Sequence, residues 1–227
     1  LLRRLTAATG APTVISEGPR GFNDATLGRY GDIAREADLV VLMGKALDFT
    51  LKFGAEPWFD ADCRFVSIDP EGALVERARQ FKGAKLALGC VADTYPAAEA
   101  LIARARTKSD PAWLAKAEAA FAARQSDVET AVSKTPGKLH PAELFRALRP
   151  FLARHPDSVA IMDGGEFAQW GQAMLPNDRR MINGVAGSIG SSLPMAAGAR
   201  TVEPAAPVFA ILGDGTFGFH MAEIETA

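Results

Sequence analysis

Cysteine is scarce in this sequence: Cys63 and Cys90 are the two among 227 residues. They lie far apart, with no CxxC pair and no zinc-ligand spacing, which excludes a disulfide framework and a cysteine zinc site. Free thiols fit a reducing compartment, and a cytoplasmic location is the expectation. Long hydrophobic runs are missing too. The most apolar short stretch, Leu39–Met43, is strand-sized, far short of the roughly 18 residues of a membrane span. Neither charge sign dominates: 25 Lys and Arg stand against 27 Asp and Glu, a net −2. No basic surface for nucleic acid and no acidic solvating tail follow from that balance. The opening Leu1-Leu2-Arg3-Arg4-Leu5 has no initiator Met and no signal-peptide layout, and reads as the middle of a helix. Residues 222–227 stop inside a helical pattern, so a piece of a longer protein is the expectation. What remains is ordinary globular chemistry, 48% hydrophobic and 23% charged, enough for one large domain or two modest ones.

The pattern along the chain is α/β. Thr13-Val14-Ile15-Ser16 reads as a short strand and 18–23 as a turn-rich loop. Leu39–Met43, ending at Gly44, and 65–69, ending at Pro70, read as buried strands. Residues 73–81 read as a helix and 85–88 as a strand. Continuous apolar strands separated by helices predict parallel sheets, here two Rossmann-like domains. Residues 110–133 turn helical, with Asp110 as N-cap and Pro111 at the first helical position. Residues 125–138 are expected to hold a helix end and a linker between a first domain over 1–124 and a second over 139–227. In the second, 141–153 predicts a helix with Leu144, Phe145, Leu148 and Leu152 on one face. Strands are expected at 159–162 and 208–212, and helices over 193–199 and from Phe219 onward.

The second half has three glycine-rich segments, two of them directly after a strand. In open α/β sheets ligands bind at the carboxyl ends of strands, and glycines there let backbone N–H groups approach phosphate oxygens. Gly213-Asp214-Gly215-Thr216 follows an apolar strand and precedes a helical pattern. A carboxylate in that turn suits Mg²⁺, which takes one or two protein carboxylates and completes its shell with phosphate oxygens and water. The Thr216 N–H and the following helix N-terminus suit an anion. A tight turn with Asp as a helix cap accounts for the same residues. Asn183-Gly184-Val185-Ala186-Gly187-Ser188-Ile189-Gly190 has neither the GxGxxG nor the GxxxxGK[ST] spacing; a loop before the helix that holds Pro194 is its plain reading. Asp163-Gly164-Gly165-Glu166-Phe167 is the third, also readable as a strand-to-helix turn.

Taken together, in order and spacing, these segments resemble the thiamine-diphosphate-dependent enzymes. Gly213-Asp214-Gly215, with residues 217–226 behind it, resembles the opening of that family's cofactor motif. Its closing Asn pair would fall beyond Ala227. Gly187-Ser188-Ile189-Gly190 resembles the stretch that holds the cofactor bent, and 163–166 the turn at the diphosphate. Ser16-Glu17-Gly18-Pro19-Arg20-Gly21 and residues 37–44 resemble the family's central domain, so the likeness covers nearly the whole chain. It is nearest the branch of acetolactate synthase, benzaldehyde lyase and 2-hydroxyacyl-CoA lyase, which make or break a C–C bond next to a carbonyl.

The resemblance implies thiamine diphosphate and Mg²⁺ as cofactors. Asp214 would ligate the metal. Gly165, Glu166, Phe167, Gly213, Gly215 and Thr216 would line the diphosphate and its surroundings. Gly187, Ser188 and Ile189 would hold the bend, with Ile189 beneath it and the Gly187 carbonyl accepting from the aminopyrimidine. It also implies a 2-oxo acid, aldehyde or acyl-CoA substrate and a homodimer or homotetramer as the full-length protein. The family's catalytic Glu belongs to a domain outside this chain, so no catalytic residue is assigned and Glu17 does not take that role. Lys45 and a single Asp48 stand where FAD-binding acetolactate synthases carry an Arg and paired acids. This departure counts against FAD and leaves a CoA- or ADP-related ligand, or none, open. A 2-hydroxyacyl-CoA or oxalyl-CoA lyase, or a non-catalytic nucleotide-binding module, are the alternative functions.

The three histidines read as structural: His140 beginning a helix, His155 on a surface loop, and His220 supporting the cofactor motif rather than reacting. Trp58, Trp113 and Trp170 read as packing residues, and Arg20 as a solvated loop charge or a contact for an anion.

Overall fold

A computed structural model describes the chain except residues 17, 107, 124–128, 176, 178 and 184–186 and the side chain of Ala25. The chain divides into two compact units, one of residues 1–16, 21–23 and 27–123, the other of 17–20, 24–26 and 124–227. Part of the expected linker, 124–128, lies outside the described residues, as do Glu17 and 184–186.

In the first unit, helices α1 (Leu2–Thr9) and α2 (Tyr30–Glu36) precede strand β1 (Leu39–Met43). Strand β2 (Arg64–Asp69), helix α3 (Gly72–Lys82), strand β3 (Leu86–Val91) and helices α4 (Thr94–Arg104) and α5 (Pro111–Ala122) follow. The sheet is parallel, in the order β1-β2-β3. Aromatic rings fill its core: Phe59 meets Phe65 edge-on at 5.2 Å, and Phe22 stacks on Tyr30 at 5.0 Å and on Trp58 at 5.1 Å. Helix starts are capped as their residues dictate. Asp93 accepts from the Tyr95 N–H and Asp110 from the Ala112 N–H, each satisfying a first-turn donor.

The strand expected at residues 13–16 does not form. Ile15 is exposed and the segment pairs with no strand of the sheet; Thr13 Oγ1 instead meets Thr6 Oγ1 at 2.8 Å, tying the segment back to α1. Without a partner strand its β-branched residues have no ladder to join.

The second unit runs α6 (Pro141–Ala153), β4 (Val159–Met162), α7 (Glu166–Met174), β5 (Arg179–Ile182), α8 (Ser192–Val202), β6 (Val208–Ile211) and the single turn α9 (Asp214–Phe217). Its sheet is also parallel, ordered β5-β4-β6. The central strand β4 is buried at all four positions, as a strand covered on both faces requires. His140 caps α6: its Nδ1 accepts from the Ala142 N–H at 3.1 Å while the Glu143 carboxylate accepts from the His140 N–H at 2.8 Å, a reciprocal capping box. The buried stripe of α6 is Ala142, Phe145 and Leu152; Leu144 is exposed, one position off the stripe.

Two expectations change here. Strand β5 was not expected, because Arg179-Arg180-Met181-Ile182 is short and half charged. The helix expected from Phe219 onward does not form; a single helical turn spans Asp214–Phe217 and closes at Gly218. His220 is extended away from helical geometry (φ −139, ψ 35), and a 3₁₀ turn follows at Met221–Ile224.

Candidate cofactor-binding site

The order β5-β4-β6 makes the three glycine segments neighbours. Each leaves the carboxyl end of one strand: 163–165 follows β4, 183–191 follows β5, and 213–215 follows β6. Because the strands are parallel and in register, Met162 opposite both Ile182 and Ile211, these ends lie along one edge. Ladder-like bonds continue past the strands. The Asp163 N–H donates to Ile211 O at 3.0 Å, the Asn183 N–H to Met162 O at 3.1 Å, and the Gly213 N–H to Gly164 O at 3.2 Å.

Asp163 ties two of the segments together. It is buried, and its carboxylate accepts three backbone N–H groups: Gly164 at 2.6 Å, Gly190 at 3.0 Å and Ser192 at 2.8 Å. A buried carboxylate is tolerated when charge-assisted bonds replace its hydration. Sequence reading placed Asp163 in a turn and gave it no role. Two of its donors lie 27 and 29 positions away, and nothing local announces them.

Gly164 brings in the third segment. A Cβ there would lie 2.3 Å from Ile189 Cγ2 and 2.8 Å from Thr216 Oγ1, so the backbone is bare because side chains from two other segments occupy the space. Thr216 is thereby buried, while Ile189 remains partly exposed above Gly164. Around this contact Gly165, Glu166, Gly187, Ser188, Asp214 and Gly215 are exposed. A Cβ on Gly187 or Gly215 would meet nothing within 4 Å, which leaves open backbone at both. Glu166 accepts from Trp170 Nε1 at 3.4 Å. Phe167 turns to the core, 5.0 Å from the Phe145 ring. Ser192 Oγ is buried with no hydrogen-bond partner among the described residues. His220 sits at this site through Nδ1, 2.7 Å from Gly190 O.

The donor set suits a hard cation beside phosphate oxygens. Asp214 is an exposed carboxylate with no hydrogen bond or ion pair among the described residues, flanked by Gly213 and Gly215. Among the described residues no three His, Cys, Asp or Glu side chains gather into an all-protein metal cage. One carboxylate with open coordination positions is the kind of site Mg²⁺ shares with a phosphate ligand.

Residues 163–227, the stretch that carries all three of these segments, match the family described as thiamine pyrophosphate enzyme, C-terminal TPP binding domain. Over that stretch the chain is similar to the thiamine-pyrophosphate enzymes. It is 25% identical over 207 residues to 2-hydroxyacyl-CoA lyase 2 of Caenorhabditis elegans, covering 86% of this chain and 31% of that protein. To oxalyl-CoA decarboxylase of Escherichia coli K12 it is 27% identical over 196 residues, covering 84% of this chain and 34% of the other. To acetolactate synthase large subunit IlvG of Mycobacterium tuberculosis it is 28% identical over the same length, with the same coverage. The chain thus spans about a third of the length of these curated relatives. These relatives are by name a lyase, a decarboxylase and a synthase, and both of this chain's sheets have the parallel α/β form expected from the sequence. No helix among the described residues is long and apolar enough to cross a membrane.

Proposed function

We propose that the second unit contributes the diphosphate end of a thiamine-diphosphate and Mg²⁺ site, in an enzyme that makes or breaks C–C bonds next to a carbonyl, acetolactate synthase-like. The observation that carries this reading is the meeting of three glycine segments on one sheet edge around Gly164, with the exposed Asp214 carboxylate, unpartnered among the described residues, in one of them. Asp214 would ligate the metal. Gly165, Gly213, Gly215 and Thr216, with Glu166 alongside, would line the diphosphate, Gly215 with open backbone; Phe167 would brace that turn from the core. Gly187, Ser188 and Ile189 would seat the rest of the cofactor, Ile189 by its apolar surface. Thiamine diphosphate, when bound, supplies the electron sink for the bond change, and the protein supplies orientation and electrostatics.

The substrate would be a 2-oxo acid, an aldehyde or an acyl-CoA, and the working protein a homodimer or homotetramer. A CoA-linked lyase or decarboxylase is the second reading, favoured by the names of two of the three relatives.

The test is calorimetric titration of the full-length protein with thiamine diphosphate and Mg²⁺, wild type against Asp214→Ala. Binding that requires Mg²⁺ and collapses in the variant is the expected result. Absence of binding, or binding indifferent to Asp214, would overturn the reading. Turnover of 2-oxo acids against acyl-CoA substrates then separates the two branches.

A further inference from the structure

Gly190 is held at both ends of its backbone. Its N–H donates to the buried Asp163 carboxylate at 3.0 Å, and its C=O lies 2.7 Å from His220 Nδ1. A carbonyl oxygen can only accept, so Nδ1 carries the proton. The two holding groups come from different segments: Asp163 from the end of β4, His220 from behind the Gly213–Gly215 turn. Gly190 itself is fitted to this clamp. Its φ is +104, a conformation that favours glycine, and a Cβ there would lie 2.7 Å from Phe219 Cβ and 3.2 Å from His220 Nδ1. Gly190 is buried, whereas Gly187, Ser188 and Ile189 immediately before it are exposed. The exposed stretch is therefore anchored at its downstream end by this clamp.

We propose that His220 is a positioning residue: by donating Nδ1–H to the Gly190 carbonyl it locks the 187–190 stretch to the Gly-Asp-Gly turn, so that the two faces of the cofactor site are ordered together before ligand arrives. The inference rests on the thiamine-diphosphate reading of the site. Its physical content is preorganisation. A stretch already held in its bound form loses less conformational freedom on binding, and the ligand binds more tightly for it. His220 touches neither cofactor nor reacting atoms in this role; it acts through Gly190.

The experiment measures thiamine diphosphate affinity at saturating Mg²⁺, by calorimetry, in the full-length wild type, His220→Phe, His220→Asn and Gly190→Ala. Circular dichroism and the thermal midpoint accompany each protein to confirm folding. His220→Phe keeps a ring of similar size but loses the donor, and affinity is expected to fall about tenfold, the effect of one net hydrogen bond. His220→Asn restores an N–H donor close to the Nδ1 position and is expected to recover most of that loss, which a purely packing role for the ring would not produce. Gly190→Ala, which breaks the same clamp from the other side, is expected to weaken binding at least as much. Wild-type affinity in folded His220→Phe, or equal losses in the Phe and Asn variants, would overturn the role of His220 alone. A wild type that binds no thiamine diphosphate would overturn the reading of the site and this role with it.

Discussion

The Asp163 carboxylate accepts the backbone N–H of Ser192 at 2.8 Å across 29 positions of sequence, and with the same oxygen it accepts the N–H of Gly190. One buried side chain thus fixes where the second glycine segment turns into α8. Asp163→Ala leaves these donors buried without an acceptor. The expected cost is about 3 kcal/mol of stability, from the loss of charge-assisted bonds of about 1.5–3 kcal/mol each. Asp163→Asn should lose less, because its amide oxygen still accepts. Denaturant titration measures the cost, and amide hydrogen exchange at Gly190 and Ser192 locates it.

Gly164→Ala forces a Cβ to 2.3 Å from Ile189 Cγ2 and 2.8 Å from Thr216 Oγ1. Overpacking of this kind costs about 1–3 kcal/mol. Ile189→Ala on the same chain should recover part of that loss, and a double-mutant cycle should give a favourable coupling between the two positions. Additive costs would mean that the clash is relieved elsewhere.

Glu143 gives the second unit an acid-sensitive cap. Its carboxylate accepts the backbone N–H groups of His140 and Ser133, and these bonds hold its pKa below the usual 4.5. A depressed carboxylate stabilises the fold fully above its unfolded value, and the contribution disappears as pH falls through the lower folded value. Wild type should therefore lose stability faster than Glu143→Gln on acidification below pH 4.5, and the two curves should run parallel at neutral pH. Thermal midpoints between pH 7 and pH 3 check this.

Cys63 has no exposed surface, and burial pushes its thiol up to about 11. Thiolate is the reactive form, so a thiol reagent at pH 8 should modify Cys90 in the native protein and reach Cys63 only on unfolding. A folded-state pKa above the ordinary 9.0 also means that this thiol opposes folding as pH rises from 9.0 toward about 11. Cys63→Ala should reduce the alkaline loss of stability. Mass mapping of labelled peptides reads the first result, and thermal midpoints above pH 9 the second.

Much of the frame was legible from local pattern. Strands β1 and β4 and helix α6 fall where apolar runs, Pro141 and His140 put them, because a buried parallel strand is a continuous apolar run and a capped helix announces its first turn. The pattern failed where local preference and tertiary context part. Residues 13–16 have strand composition but no neighbouring strand, whereas Arg179–Ile182 has little strand composition but lies beside β4 and is paired by it. Leu144 matches a helical stripe only loosely and ends in solvent.

By itself the sequence determined that the chain folds as parallel α/β, that three glycine segments sit near strand ends, and that Asp214 stands between two glycines just after an apolar strand. Those properties follow from residue type and spacing over a few turns of chain. Only the tertiary structure decided that the segments share one edge, that Asp163 gathers two of them, that Gly164 is bare to admit Ile189 and Thr216, and that His220 reaches Gly190. These are contacts between residues 25 to 52 positions apart, from Gly164 with Ile189 to Gly164 with Thr216. The order β5-β4-β6 creates them, and strand order is set by how helices pack across a sheet, not by the residues that meet at its edge.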